Sequence, residues 1–244
     1  MIIMTSLDRN QIRDGLKANT LFSSCTGEEL DRFAEKAVLH SYPKGKILFL
    51  HEDQADYAYV LRSGWVKLFR ETLDGDQAIV DILTETHVFG ETSIFNDTLY
   101  PYSAEVVEKA EIIQIPLSVL KTEIETNSRF AYAMLSAMAR YRRQQDRELE
   151  HRTLQNAPQR IGCFLLRLAD QKQDGPVKIH LPYDKTLVAS RLGMQPETFS
   201  RALNKLKQET DLRIKGATIE MDSLKTLACY SCSACSSEFP CKDK

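Results

Sequence analysis

The chain has 244 residues, of which 27% are charged and 43% apolar, and its formal net charge is −2. That length allows one large domain or two modest ones, and the composition is that of an ordinary globular protein. No apolar run approaches the ~20 residues that cross a bilayer, and the start MIIMTSLDRN lacks a signal-peptide core, so no membrane partner is expected and a cytoplasmic location is.

Residues 11–39 carry two short helical patterns around Leu21-Phe22, and Thr26 followed by Glu29 matches a capping box. Segments 46–50, 57–62, 65–71, 77–83, 103–107 and 110–115 are rich in Val, Ile, Tyr and Phe and are bounded by Gly45, Gly64, Asp74-Gly75 and Gly90. Short strands at such intervals predict a sandwich or a rolled-up barrel. A single long helix is expected from Ser128 to Gln155. Phe130, Met134, Ala137 and Tyr141 recur on it at four- and three-residue steps, which reads either as a dimerising coiled-coil seam or as a helix packed on its own domain. Arg160 to Gln173 reads as an amphipathic helix and Val177 to Leu181 as a short strand.

The most specific pattern is Asp184 to Leu206, DKTLVASRLGMQPETFSRALNKL. Val188 and Leu192 form an apolar pair, Ala189 allows close approach, Gly193 reverses the chain, and Pro196 suits a first helical turn. Phe199, Ala202, Leu203 and Leu206 then face inward, leaving Glu197, Thr198, Ser200, Arg201, Asn204, Lys205 and Gln208 outside. This is how a helix-turn-helix presents a recognition helix to the major groove; the plainer alternative is a helical hairpin with a solvated face. The alternating stretch Arg213 to Met221, broken at Gly216, reads as a β-hairpin wing, with Arg213 and Lys215 available to phosphates.

Charge supports a division of labour. Residues 1–126 hold 12 basic and 21 acidic side chains, residues 127–158 hold 6 and 3, and residues 159–226 hold 12 and 8. An acidic front and a basic back fit a sensor joined to a phosphate-facing domain. The expected organisation is therefore 1–126, 127–157, 158–226 and a cysteine-rich tail 227–244. No GxxxxGK[ST], HExxH or GxSxG motif is present, so an enzyme is not expected.

Four of the six cysteines, Cys229, Cys232, Cys235 and Cys241, crowd into this tail, whereas Cys25 and Cys163 stand alone. The C-x2-C-x2-C-x5-C spacing suits a [4Fe–4S] cluster, and the same thiolates would suit zinc or remain unmetallated. Haem is a competing cofactor, with His40, His51, His87, His151 and His180 as the available imidazoles.

Together the spaced glycines, Phe89-Gly90-Glu91-Thr92-Ser93, the single long helix and Pro196-Glu197-Thr198-Phe199-Ser200-Arg201 give the chain a resemblance to the CRP/FNR-family transcription regulators over residues 15–226. The recognition-helix wording most resembles the denitrification branch, which responds to nitric oxide. The resemblance implies an α+β fold: an N-terminal β-roll (a jelly roll like that of cyclic-nucleotide-binding domains), a long dimerisation helix and a C-terminal winged helix-turn-helix. It also implies a homodimer on double-stranded DNA, RNA polymerase as a partner, and TTGAT-type half-sites read by Glu197, Ser200 and Arg201. Lys205 and Lys207 are expected on phosphates. In the cyclic-nucleotide branch an Arg-Ser or Arg-Ala pair holds the cyclic phosphate, whereas this chain has Tyr100-Pro101-Tyr102-Ser103. Cyclic AMP is therefore not the expected effector. The alternatives are a cyclic-nucleotide- or haem-responsive regulator of the same fold, and a cyclic-nucleotide-binding module that does not bind DNA.

Overall fold

The computed structural model describes residues 6–95, 98–169, 175–181, 185–235 and 239. The chain forms two compact units, Met1–Met138 and Ala139–Lys244, which meet inside one long helix.

In the first unit, α1 (Ser6–Lys17) and α2 (Gly27–Lys36) precede a β-roll. The expected capping box is formed: Thr26 Oγ1 accepts from Glu29 N, and Glu29 returns a carboxylate oxygen to Thr26 N. The strands are β1 (Val38–Tyr42), β2 (Ile47–Phe49), β3 (Tyr57–Glu71), β4 (Gln77–Leu83), β5 (Val88–Phe89) and β6 (Ser103–Pro116). All pair antiparallel in the order β1-β6-β3-β4, with β2 also on β6 and β5 also on β3. A 3-10 helix, Glu91–Phe95, follows β5, and α3 (Leu117–Thr126) follows β6.

Two pairs of expected strands prove to be single long ones. Gly64 was expected to end a strand; instead β3 runs through it, with register shifts against β6 between Leu61 and Val66. Its φ is +86°, and a Cβ there would lie 2.3 Å from the Lys109 carbonyl. Glycine bends the strand and admits the neighbouring backbone, which is the bulge reading of an isolated strand glycine.

The long helix α4 spans Ser128–Leu154. Of the two expectations for its apolar period, packing on the helix's own domain holds for Phe130 and Met134. Phe130 and Met134 are almost wholly buried in the first unit's core, where Phe130 meets Phe22 and Phe33 at ring-centroid distances of 5.8 and 5.4 Å. Tyr132, Leu135, Met138, Tyr141 and Leu149 are the exposed large apolar residues of α4 before its last residue. The periodicity was real, but the β-roll claims its innermost stripe.

In the second unit, α5 (Ala157–Leu168) is capped by Asn156 and Gln159. It ends at Leu168, with Ala169 extended, five residues short of the expected end; residues 170–174 lie outside the described set. The unit continues with β7 (Val177–His180), α6 (Lys185–Arg191), α7 (Pro196–Glu209), β8 (Arg213–Lys215), β9 (Thr218–Met221) and α8 (Leu224–Ser231). The small sheet has the order β7-β9-β8. A separate core of Ile161, Phe164, Leu165, Val188, Phe199, Leu203, Leu206, Ile219 and Leu227 closes it.

Candidate nucleic-acid interface and sensory sites

The turn between α6 and α7 is built as its residues suggest. Gly193 has φ +62°, a conformation costly for a side chain bearing Cβ. The Gly193 and Met194 amides bond back to the carbonyls of Ser190 and Ala189. Met194 is buried in the turn, and Pro196 takes the first helical position. Phe199, Ala202, Leu203 and Leu206 are buried, while Glu197, Thr198, Ser200, Arg201, Asn204, Lys205, Lys207 and Gln208 are exposed. Side chains able to read base edges thus share the solvent face of a helix fixed by its opposite side.

The wing hairpin forms, with Lys215 opposite Thr218 and Gly216 in its turn. Its two cations are engaged within the protein: Arg213 pairs with Asp222, and Lys215 Nζ lies 3.0 Å from Glu220. Solvent screens such surface pairs, so a phosphate can replace the carboxylates at little cost.

Sequence reasoning missed the group that fixes this module to α4. Arg191, in the last turn of α6, is 5% exposed; its Nη2 donates to Glu148 Oε1 at 2.6 Å, and Arg167 Nη1 donates to the same oxygen at 2.7 Å. Burial raises the Glu148 pKa, but the two guanidiniums outweigh it and hold the carboxyl at about 2. A cleft lined by Glu148, His151, Arg160, Cys163, Arg167 and Arg191 surrounds the pair. The available signal was Arg191 itself: it follows Val188 by three residues on the inward stripe, where a charge requires a partner.

In the β-roll, the segment after Phe89-Gly90 folds as the short 3-10 helix. Ser93 is fully buried, and Ser93 Oγ and Glu91 Oε2 have no hydrogen-bond partner among the described residues. Burial pushes the Glu91 carboxyl up to about 7. Beside it, Tyr100 stacks on Phe49 at 3.7 Å and 14° and donates its hydroxyl to the Tyr57 carbonyl at 2.8 Å. Tyr59 and Phe89 extend this aromatic wall, their centroids 5.1 Å apart. Where the resemblance calls for an arginine, the chain places packed aromatics. Arg70, outside the expected motif, donates to the Pro101 carbonyl at 2.8 Å.

The tail starts as structure: α8 straddles residue 227 and packs on α5. A Cβ on Gly162 would lie 1.9 Å from Ser231 Oγ, so the helices meet at the glycine. Cys229 is exposed and Cys232 and Cys235 are half-buried, while Cys241 lies outside the described residues. Among the described residues no three metal-ligating side chains converge. The four-cysteine site expected from the spacing includes Cys241 and so lies partly outside the described residues. Cys235 Sγ lies 3.4 Å from His151 Nε2, and Cys163 Sγ lies 3.6 Å from His151 Nδ1. Of the other histidines, His87 Nδ1 sits 3.0 Å from the Thr84 carbonyl, His40 packs on Tyr42, and His180 is exposed.

A β-roll followed by a long helix and a winged helix-turn-helix defines a regulator with separate sensory and DNA-facing parts. Residues 39–127 match the cyclic nucleotide-binding domain and residues 159–230 the Crp-like helix-turn-helix domain. The chain belongs to the CRP/FNR family of transcription regulators. It is 29% identical over 206 residues to the cyclic AMP receptor protein of Thermus thermophilus, covering 84% of this chain and 94% of that one. It is 24% identical over 204 residues to the fumarate and nitrate reduction regulatory protein of Yersinia pestis, covering 82% and 80%. Among solved structures, a candidate cyclic nucleotide binding protein of Ruegeria pomeroyi superposes with a TM-score of 0.71 at 33% identity, over 92% of this chain and 99% of that one. The family consists of regulators rather than enzymes. Among the described residues no helix is long and apolar enough to cross a membrane.

Proposed function

We propose that this protein is a dimeric regulator that binds palindromic TTGAT-like promoter sites and answers a redox or gas signal, oxygen or nitric oxide. The observation that carries the reading is α7: Glu197, Ser200 and Arg201 are exposed together while its apolar side is buried. Glu197 accepts from a cytosine amino group, Arg201 donates twice to guanine, Ser200 and Thr198 add adaptable contacts, and Lys205 meets phosphate. The exposed apolar residues of α4 support pairing with a second copy, which sets two recognition helices about one DNA turn, ~34 Å, apart. RNA polymerase is then the partner at the promoter. The cysteine-rich tail is the assigned sensor, because reactive and metal-binding chemistry clusters there. The likeness to a fumarate and nitrate reduction regulator supports a respiratory signal.

A second reading, a small-molecule effector in the β-roll, is favoured by the orphaned buried atoms of Glu91 and Ser93 and by the likeness to a cyclic AMP receptor protein. Tyr100-Pro101-Tyr102 in place of the phosphate-holding arginine argues against a cyclic nucleotide.

Fluorescence anisotropy with a TTGAT-N4-ATCAA duplex tests the main reading. The expected preference over scrambled DNA is about a thousandfold or more at physiological salt; equal affinity for both overturns it. Calorimetric binding of cyclic AMP would select the second effector.

A further inference from the structure

We propose that His151, on the long helix, is a ligand of a mononuclear thiophilic-metal site completed by Cys235 and Cys232. This rests on the reading that the tail carries the sensory metal chemistry, and it changes that site's composition from four thiolates to a mixed Cys/His set.

The geometry is already half assembled. In a tetrahedral zinc site a thiolate at about 2.3 Å and an imidazole at about 2.05 Å from the metal lie roughly 3.4–3.6 Å apart. The Cys235 Sγ to His151 Nε2 separation is 3.4 Å. The opposite ring nitrogen faces the buried Cys163 sulfur at 3.6 Å. Metal-bound histidines habitually give their second N–H to an acceptor, which fixes the ring and leaves the other lone pair for the metal, and the Cys163 sulfur, a weak acceptor, stands in that place. Cys232 stands three residues before Cys235, the C-x2-C spacing of zinc sites, in a turn closed by the Cys235 amide donating to the Cys232 carbonyl at 3.2 Å.

The residues around this pair are packed together. Gly162 admits Ser231, and Gln155 Nε2 donates to the Ser231 carbonyl at 3.3 Å, so the end of α8 is held against α5 and the turn that follows α4. Among the described residues no three ligating side chains converge, as expected of a site that completes on binding. Metal uptake would tie the tail to the same face of α4 that carries Glu148, one turn from the contact with Arg191. Metal state and recognition-module placement thereby share one helix segment.

The test uses the reduced, metal-free full-length protein titrated anaerobically with cobalt(II), with iron and sulfide reconstitution as a separate arm. Tetrahedral ligand-field bands and a thiolate charge-transfer band are expected. His151→Gln should weaken cobalt binding at least about tenfold and shift the ligand-field bands. Cys235→Ser should lose charge-transfer intensity. His151→Cys should restore affinity with an added thiolate signature, which guards against a His151→Gln variant that merely misfolds. Unchanged affinity and spectrum in His151→Gln, with weakening in Cys235→Ser, overturns the His151 assignment and leaves the tail reading standing. An iron–sulfide chromophore without cobalt uptake replaces the mononuclear site with a cluster. No uptake in either arm overturns both.

Discussion

Removing the Glu148 carboxylate should loosen the DNA-facing unit more than any surface charge change would. Glu148 is 21% exposed and bridges Arg191 and Arg167 through one oxygen. Its pKa falls from an ordinary 4.5 to about 2, which corresponds to roughly 3 kcal/mol of stability. Breaking a buried pair from one side costs about 3–5 kcal/mol, a consistent figure. In Glu148→Ala the two guanidiniums face each other with no carboxylate between them. Trp65, the sole tryptophan, lies in the first unit, so fluorescence reports on the wrong part of the chain. Amide hydrogen exchange of α5, α6 and α7 is the suitable assay, and 3 kcal/mol predicts about a hundredfold faster exchange. Because the folded pKa is depressed, this stability is fully present above pH 4.5 and is lost as pH falls toward 2. Glu148→Ala should therefore lose that part of the wild-type acid dependence. Exchange accelerated less than about fivefold, or an unchanged acid profile, would refute the reasoning.

Two further outcomes follow from the first unit and the long helix. The folded Glu91 pKa of about 7 lies above its ordinary 4.5, so its contribution is present below pH 4.5 and disappears as pH rises through 7. Trp65-monitored urea unfolding should show stability falling by roughly 3 kcal/mol over that window, and Glu91→Gln should flatten the slope; a slope retained in Glu91→Gln contradicts the assignment. Leu135 is 63% exposed on α4, so Leu135→Glu should shift sedimentation from dimer to monomer while leaving the fold intact. Retention of the dimer would place the interface elsewhere.

Local signals carried the helix-turn-helix. Gly193, Pro196 and the three- and four-residue steps of Phe199, Leu203 and Leu206 act within a few residues, and the structure meets each of them. Long-range packing was less legible. Phe130 and Met134 carry a seam-like period, yet only the fold decides whether a partner helix or the β-roll covers them. Gly64 and the strands around it separate bulge from boundary only through the approach of Lys109. β1, β5, α3 and α8 were missed because β5 is two residues long and the others derive their apolar faces from distant neighbours. The meeting of His151, Cys163 and Cys235 spans 84 residues of sequence and left no motif.

Base reading by Arg201 is the contact on which sequence recognition by α7 depends. A double-mutant cycle should combine Arg201→Ala with replacement of the guanine in each TTGAT half-site, measured by anisotropy at fixed salt. Each change alone should weaken binding about 5- to 150-fold per half-site, and the combination should cost little more than either one. Fully additive losses, or an Arg201→Ala effect equal on specific and scrambled DNA, would mean that Arg201 touches only the backbone and that α7 does not read sequence through it.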